Sequence, residues 1–267
     1  MAHAALTDRQ RNELEYYEKY SELAAPPDIN FKPILGKEKR PWNSYWYFME
    51  KVQQHFKFEG QRLLDFGCGT GFYSIPFARV GYHVFGFDIS RNNIAIANGF
   101  AEKYGLQDKC NFVVSVAETL DYPDEHFDVV TGINILHHVD IRNSVGECMR
   151  VLKPGGIAMF HEPVRSPLFD AIRESWLGTA IVSKEASFER HITRDERKLS
   201  NEDFEILKSF DPACTFERFL LFSRFNRFIG EKLRQFAYLD RLDLTLFRVL
   251  PVTRNFAGEC IITLRKS

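Results

Sequence analysis

The 267-residue chain has little of what marks several large classes of protein. Its five cysteines, at positions 68, 110, 148, 214 and 260, are widely spaced. No pair has the C-x-x-C spacing of zinc and redox sites, so no metal centre is expected. An odd, unpaired count suits a reducing compartment, and the expected location is cytoplasmic. Met1 to Gln10 lacks the apolar stretch of a secretory leader, and no run approaches the roughly 20 apolar residues of a membrane span. The formal net charge of −1 gives no global basic field, so nucleic acid is not an expected partner. There is no internal repeat and no low-complexity tract. What is present is a globular composition, 45% hydrophobic and 27% charged, with an unusual 25 phenylalanines, many of them late in the chain.

The most informative stretch is Leu63-Leu64-Asp65-Phe66-Gly67-Cys68-Gly69-Thr70-Gly71. It runs from an apolar strand through three glycines toward a helix. Glycine permits a sharp turn and lets a ligand approach bare main chain, and the helix start offers N–H groups that lack intrahelical partners. The next apolar run, Tyr82 to Phe87, ends in Asp88, placed to accept both hydroxyls of a ribose. A dinucleotide fold reads G-x-G-x-x-G and sets a pyrophosphate on the helix N-terminus. Here an acid stands two residues before the first glycine. It repels a pyrophosphate and suits a ligand that carries an amine.

Strand patterns at about 61–66, 83–88, 111–115, 127–133 and 156–161 alternate with helical ones such as Ser90–Tyr104 and Ser144–Val151. That alternation predicts a parallel sheet with right-handed crossovers. Residues 1–60 are polar and then aromatic, with prolines at 26, 27, 33 and 41, which predicts a helix, a loop and a second helix. Residues 164–267 read as helical, with late strands at Thr215–Phe222 and Glu259–Leu264.

Three further landmarks follow the glycine loop: Phe127-Asp128-Val129-Val130, Leu136-His137-His138, and Leu152-Lys153-Pro154-Gly155-Gly156. With the D-x-G-x-G-x-G loop, this ordered series over about 100 residues resembles the type-11 branch of the class I S-adenosylmethionine-dependent methyltransferases. The resemblance implies an α/β, Rossmann-like methyltransferase fold: a seven-stranded, mostly parallel sheet with helices on both faces. To it are added an N-terminal helical lid (1–60) and a helical insert at about 223–254 within a methyltransferase domain of 61–267. The cofactor implied is S-adenosylmethionine, and the partner a small-molecule methyl acceptor.

Carried across by motif position, the family pattern passes Gly67, Gly69 and Gly71 under the methionine part of the cofactor, with Cys68 inside the same loop as a small filler. It puts Asp65 near the ammonium, unless that acid merely caps the next helix, and Asp88 on the ribose, with Ile89 against the adenine. In the loop after the third strand the family often reads G-D-A-E, whereas this chain reads Ser115-Val116-Ala117-Glu118. Val116 therefore replaces the aspartate that usually accepts from the adenine amino group, which leaves the backbone of Ala117 to read the ring. Glu118 is read as a helix-start acid. Asn134 is a methionine-side contact.

For catalysis, His137 and His161 follow strands whose C-terminal ends face the crevice, and either could remove a proton from an acceptor hydroxyl. Of the adjacent pair, His137 rather than His138 is expected at the crevice. Tyr17, Trp42, Tyr45, Trp46, His138 and Glu162 are candidate substrate contacts. Phe222, Phe225, Ile229, Leu233 and Phe236 recur at helical spacing. This stripe reads as a cap on the core, with a lipophilic tunnel or a weak membrane-surface contact as alternatives. The reaction expected is methyl transfer to a hydroxyl oxygen. C-methylation of a quinone-like or polyketide ring, and a non-catalytic cofactor-binding scaffold, stay open.

Overall fold

The computed structural model describes residues 6–23, 28–35, 40, 42–55, 60–166, 170, 197–228 and 237–267. Three helices come first: α1 (Asp8–Leu23), α2 (Lys32–Leu35) and α3 (Ser44–His55). The alternating region follows as β1 (Arg62–Phe66), α4 (Ser74–Arg79), β2 (His83–Asp88), α5 (Arg91–Lys103), β3 (Cys110–Val114), β4 (Phe127–Ile133), α6 (Ile141–Val151) and β5 (Leu152–Pro163). The last described elements are α7 (Asn201–Phe210), β6 (Thr215–Phe219), α8 (Tyr238–Val249) and β7 (Glu259–Arg265).

The strands form one seven-stranded sheet in the order β3-β2-β1-β4-β5-β7-β6. All pairs from β3 to β5 are parallel, while β7 runs antiparallel to both β5 and β6. The chain steps outward from β1 to β3, then returns to lay β4 on the other side of β1. The strand order reverses there, and in open α/β sheets ligands bind in the crevice beyond the strand C-termini at such a point.

Side-chain alternation explains the two cores. Leu63, Val129, Ile157, Met159 and Ile261 join one cluster with residues of α3, α4 and α5. Their neighbours Leu64, Val130, Ala158, Phe160 and Ile262 join a second cluster with residues of α6 and α7. Both faces are covered, so the central strands β1, β4 and β5 are buried along most of their length.

Capping sets the helix starts. Ser90 accepts from the Asn93 amide at the head of α5, and Asp140 accepts from the Asn143 amide at the head of α6. Asp140 moves the start of α6 ahead of the expected Ser144. At α7 the Asp203 carboxylate accepts from the Ser200 amide as part of a capping box between Ser200 and Asp203.

The expected insert lies between β6 and β7. Its described parts are two short 3₁₀ stretches, Ser223–Phe228 and Pro251–Phe256, on either side of α8. Asp243 of α8 anchors it by accepting from the amides of Leu221, Phe222 and Ser223. Phe222 and Phe225 are exposed rather than buried, while Ile229, Leu233 and Phe236 lie outside the described residues. Among the described residues, no helix is long and apolar enough to cross a membrane.

Candidate functional site

A cavity of about 500 Å³ opens at the C-terminal ends of β1, β2 and β4. The tight β1–α4 turn forms its floor. Gly67 has φ +73, and a Cβ there would come within 2.5 Å of Ile135, so loop and wall touch closely enough that only glycine fits. Gly69 also has positive φ (+51), but a Cβ there would meet nothing within 4 Å. It presents bare main chain to the cavity. Gly71 has another role: its Cβ would strike Ala97 of α5 at 2.9 Å, and it is not on the cavity wall.

Asp88 closes the tip of β2. One carboxylate oxygen accepts from the Gly69 amide at 3.1 Å; the other accepts from the Ser90 amide at 2.9 Å and the Asn93 side chain at 3.0 Å. Burial raises its carboxyl above the usual carboxylate range, against the opposing pull of these bonds. Ile89, Val116, Ala117 and Asn134 all line the cavity, as the motif positions imply. Asn134 has φ +56, a left-handed conformation that asparagine tolerates better than most residues.

Several expected residues stand elsewhere. Asp65 is buried behind the glycine loop, where its carboxylate accepts from Ser74 Oγ at 2.5 Å at the first turn of α4. Burial pushes its pKa up to about 7. Cys68 points into the core, its Cβ 2.9 Å from where a Gly86 Cβ would sit, and burial drives its thiol far above the usual range. Neither side chain reaches the cavity.

The paired histidines are reversed from expectation. Leu136–His138 is a 3₁₀ turn, in which successive side chains diverge by about 120°, so only one of the two can face the cavity. That one is His138. His137 turns inward, its Nδ1 2.7 Å from Glu162 Oε2. Glu162 is fully buried, and its other oxygen accepts from the amides of Ile135 (2.9 Å) and Leu136 (2.8 Å). The expected substrate contact is thus an internal clamp on the β4 loop.

His161 is 1% exposed and is not on the cavity wall. Its ring stacks on Tyr45 at 4.3 Å, and Nε2 lies 3.4 Å from Glu259. Burial works to raise the Glu259 carboxyl, but His161, Ser44 and Arg224 together hold it below the usual range. Tyr45 connects this buried group to the cavity. It stacks on Tyr73, a wall residue, and its hydroxyl bonds the Asn134 side chain. Trp42 and Trp46 sit under Arg241 and Arg40 and do not reach the wall. No insert phenylalanine does so among the described residues.

Three wall residues come from the N-terminal helix: Gln10, Glu13 and Tyr17. Only Tyr17 was expected. Their spacing, i, i+3, i+7, is one helix face, a signal present in the sequence. Tyr73, Asn93 and Glu118 are further wall residues that motif reading did not supply.

Among the described residues, the wall carries three carboxylates, Glu13, Asp88 and Glu118, and no lysine or arginine. That set disfavours a pyrophosphate and suits a cationic nucleoside. Bare backbone at Gly69 and the Asp88 carboxylate beside it fit the amino acid and ribose parts of S-adenosylmethionine. Fold and site together thus define a nucleoside-binding α/β enzyme of methyltransferase type.

Comparison with known proteins agrees. Residues 64–160 match the model of the methyltransferase domain family. The chain is 35% identical over 193 residues to a ubiquinone biosynthesis O-methyltransferase of Cereibacter sphaeroides, an alignment that covers 67% of this chain and 76% of that protein. A protein of the same name from Maricaulis maris is 36% identical over 154 residues, covering 54% of this chain and 59% of that one. The chain thus spans less than two thirds of the length of several of the curated relatives it matches. Among solved structures, geranyl diphosphate C-methyltransferase from Streptomyces coelicolor aligns with a TM-score of 0.59 over 99% of this chain and 100% of that one, at 14% identity. The [4+2]-cyclase SpnF aligns with a TM-score of 0.58 over 98% of this chain and 97% of that one, at 20% identity. These two share the fold. The chain belongs to the class I S-adenosylmethionine-dependent methyltransferases.

Proposed function

We propose that this protein transfers the methyl group of S-adenosylmethionine to a hydroxyl oxygen of a small molecule. The observation that carries this is the switch-point cavity, with bare Gly69 backbone, the Asp88 carboxylate and no lysine or arginine on its described wall. Choice of oxygen as acceptor rests on the relatives' names. When bound, the cofactor supplies an electrophilic methyl on a sulfonium. The chain's own task is chiefly to position the acceptor in line with it.

Asp88 would hold the ribose hydroxyls, while Gly67 and Gly69 would let the amino acid part lie on main chain. Tyr73 and Asn134 would border the methyl end, with Tyr45 behind them. His161, paired with Glu259, stacks on Tyr45 behind that end, and reaching an acceptor would require Tyr45 to shift. Glu259 would stabilise the imidazolium formed as the acceptor loses its proton.

The test is calorimetric titration with S-adenosylhomocysteine, then label transfer from S-adenosylmethionine to catechol-type and other phenolic acceptors. Binding should weaken by about 1.5–3 kcal/mol in Asp88→Ala, as for a lost hydrogen bond to a charged group. Absence of binding by the wild-type chain would remove the proposal.

A further inference from the structure

The cavity is closed by a part of the chain outside the methyltransferase core, and the contacts of that part concentrate at one end. Helix α1 packs against α5. Arg9 donates to the His137 carbonyl at 3.2 Å, and Tyr17 Oη lies 3.1 Å from His138 Nε2. Glu18 accepts from the Arg91 amide at 2.6 Å at the head of α5. Gln10 Nε2 donates to Glu118 Oε2 at 2.8 Å, across the loop that follows β3.

Topology says which part of a nucleoside lies there. Asp88, on β2, faces the ribose. The close approach to glycine backbone is on the β1 side. The base must therefore extend the other way, toward β3 and the Ser115–Glu118 loop. Within that loop Val116 is apolar and supplies no side-chain acceptor for an exocyclic amine. Two residues on, Glu118 reaches the wall. Its Oε1 accepts from the Asp140 amide at 3.1 Å and its Oε2 from Gln10. A carboxylate has about four acceptor sites, so these two donors orient the group and leave it capacity toward the cavity.

We infer that Glu118, held by Gln10 of the lid helix and by the Asp140 amide, accepts from the adenine amino group and replaces the acceptor that Val116 cannot supply. This rests on the cofactor assigned under Proposed function. Adenine recognition is thereby shared between core and lid: the residue that reads the base is the one to which α1 is tied, so ordering of the lid and occupancy by an amino-bearing purine reinforce each other. Glu118 was expected only to start a helix, but no helix begins there. It spans the gap between the β3 loop, the head of α6 and α1.

The experiment uses the full chain and two ligands, S-adenosylhomocysteine and its analogue with unsubstituted purine in place of adenine. Calorimetry gives the ratio of their affinities. The wild type should prefer the adenine compound about tenfold, as for one hydrogen bond to a charged acceptor. The ratio should fall at least threefold in Glu118→Ala, and also in Gln10→Ala, which keeps the carboxylate but removes its tether to the lid. Gln10 lies on a partly exposed helix face, so the second variant serves if the first does not fold. A wild-type preference below threefold, or ratios within threefold of wild type in the folded variants, would overturn the inference. If the wild type binds neither compound, the failure belongs to the cofactor assignment.

Discussion

His137 and Glu162 are bonded to each other, Nδ1 to Oε2 at 2.7 Å, with both side chains buried. Two residues that stand separately as candidates in the sequence are therefore one structural unit. The same carboxylate takes the amides of Ile135 and Leu136, so it sets the path of the loop whose Asn134 and His138 form the cavity wall.

Glu162→Ala should destabilise the protein by about 3–5 kcal/mol, because it strands His137 and two backbone amides, each unsatisfied buried group costing about 1–3 kcal/mol. Glu162→Gln should cost less, because its carbonyl can still accept the two amides. Denaturant unfolding of both variants measures this. A loss under about 1 kcal/mol in Glu162→Ala would show the clamp to be dispensable.

Two glycine variants should behave oppositely. Gly67→Ala places a methyl 2.5 Å from Ile135 at φ +73, so stability should fall by about 1–3 kcal/mol from backbone strain, with steric cost added. Gly69→Ala meets no protein atom within 4 Å. Its strain at φ +51 is the αL cost of about 1–2 kcal/mol, but its methyl enters the ligand's space. Cofactor affinity should therefore drop more for Gly69→Ala than its melting temperature suggests. Unaltered affinity would place the cofactor elsewhere.

Asp65 should make stability and binding depend on pH. Its folded pKa of about 7 stands above the ordinary 3.8 of an aspartate, so the folded state holds a proton that the unfolded state releases. The stability this contributes is fully present below about pH 4 and is lost as pH rises through about 7. Asp65→Asn, which cannot ionise, should gain on wild type across that window, as read by unfolding at pH 5 and pH 8. If the ammonium of S-adenosylmethionine acts on Asp65, binding near pH 7 should release a proton, seen as a buffer-dependent heat. Methylthioadenosine, which lacks the ammonium, should not. Equal proton counts for the two would confine Asp65 to its bond with Ser74.

His161→Ala should slow methyl transfer by about 10²–10⁴, the range for general acid–base catalysis, and leave cofactor affinity within about threefold. His137→Ala should instead reduce stability, with its rate loss following the folded fraction. If His161→Ala turns over within tenfold of wild type on an identified acceptor, positioning alone carries the reaction.

Much of this was legible in the sequence. Asp65 to Gly71 and Asp88 are local patterns in which the chemistry of a turn or strand end depends on neighbours in the chain, whereas Lys153-Pro154-Gly155-Gly156 lies inside β5, at an irregularity in its register with β4. Sequence patterns placed β1 to β4 and the cofactor loop to within a residue or two, while β5 begins at Leu152, four residues ahead of the expected 156. Ile89, Val116, Ala117 and Asn134 stand on the wall for the same reason: each follows directly on a strand whose end faces the crevice.

Tertiary structure alone decided the rest. Whether His137 or His138 meets the cavity depends on the sense of one 3₁₀ turn, and that is set by Glu162 from a strand 25 residues on. Whether Asp65 and Cys68 face ligand or core depends on Ser74 and Gly86, their partners across the fold. Gln10, Glu13 and Tyr17 share a helix face that periodicity could reveal, but only packing of α1 over the β3 loop makes that face a wall. Local sequence selects strands, turns and caps because those are contests between near neighbours. Which side of each element becomes a site is settled by contacts between residues distant in the chain, and no single stretch of sequence contains them.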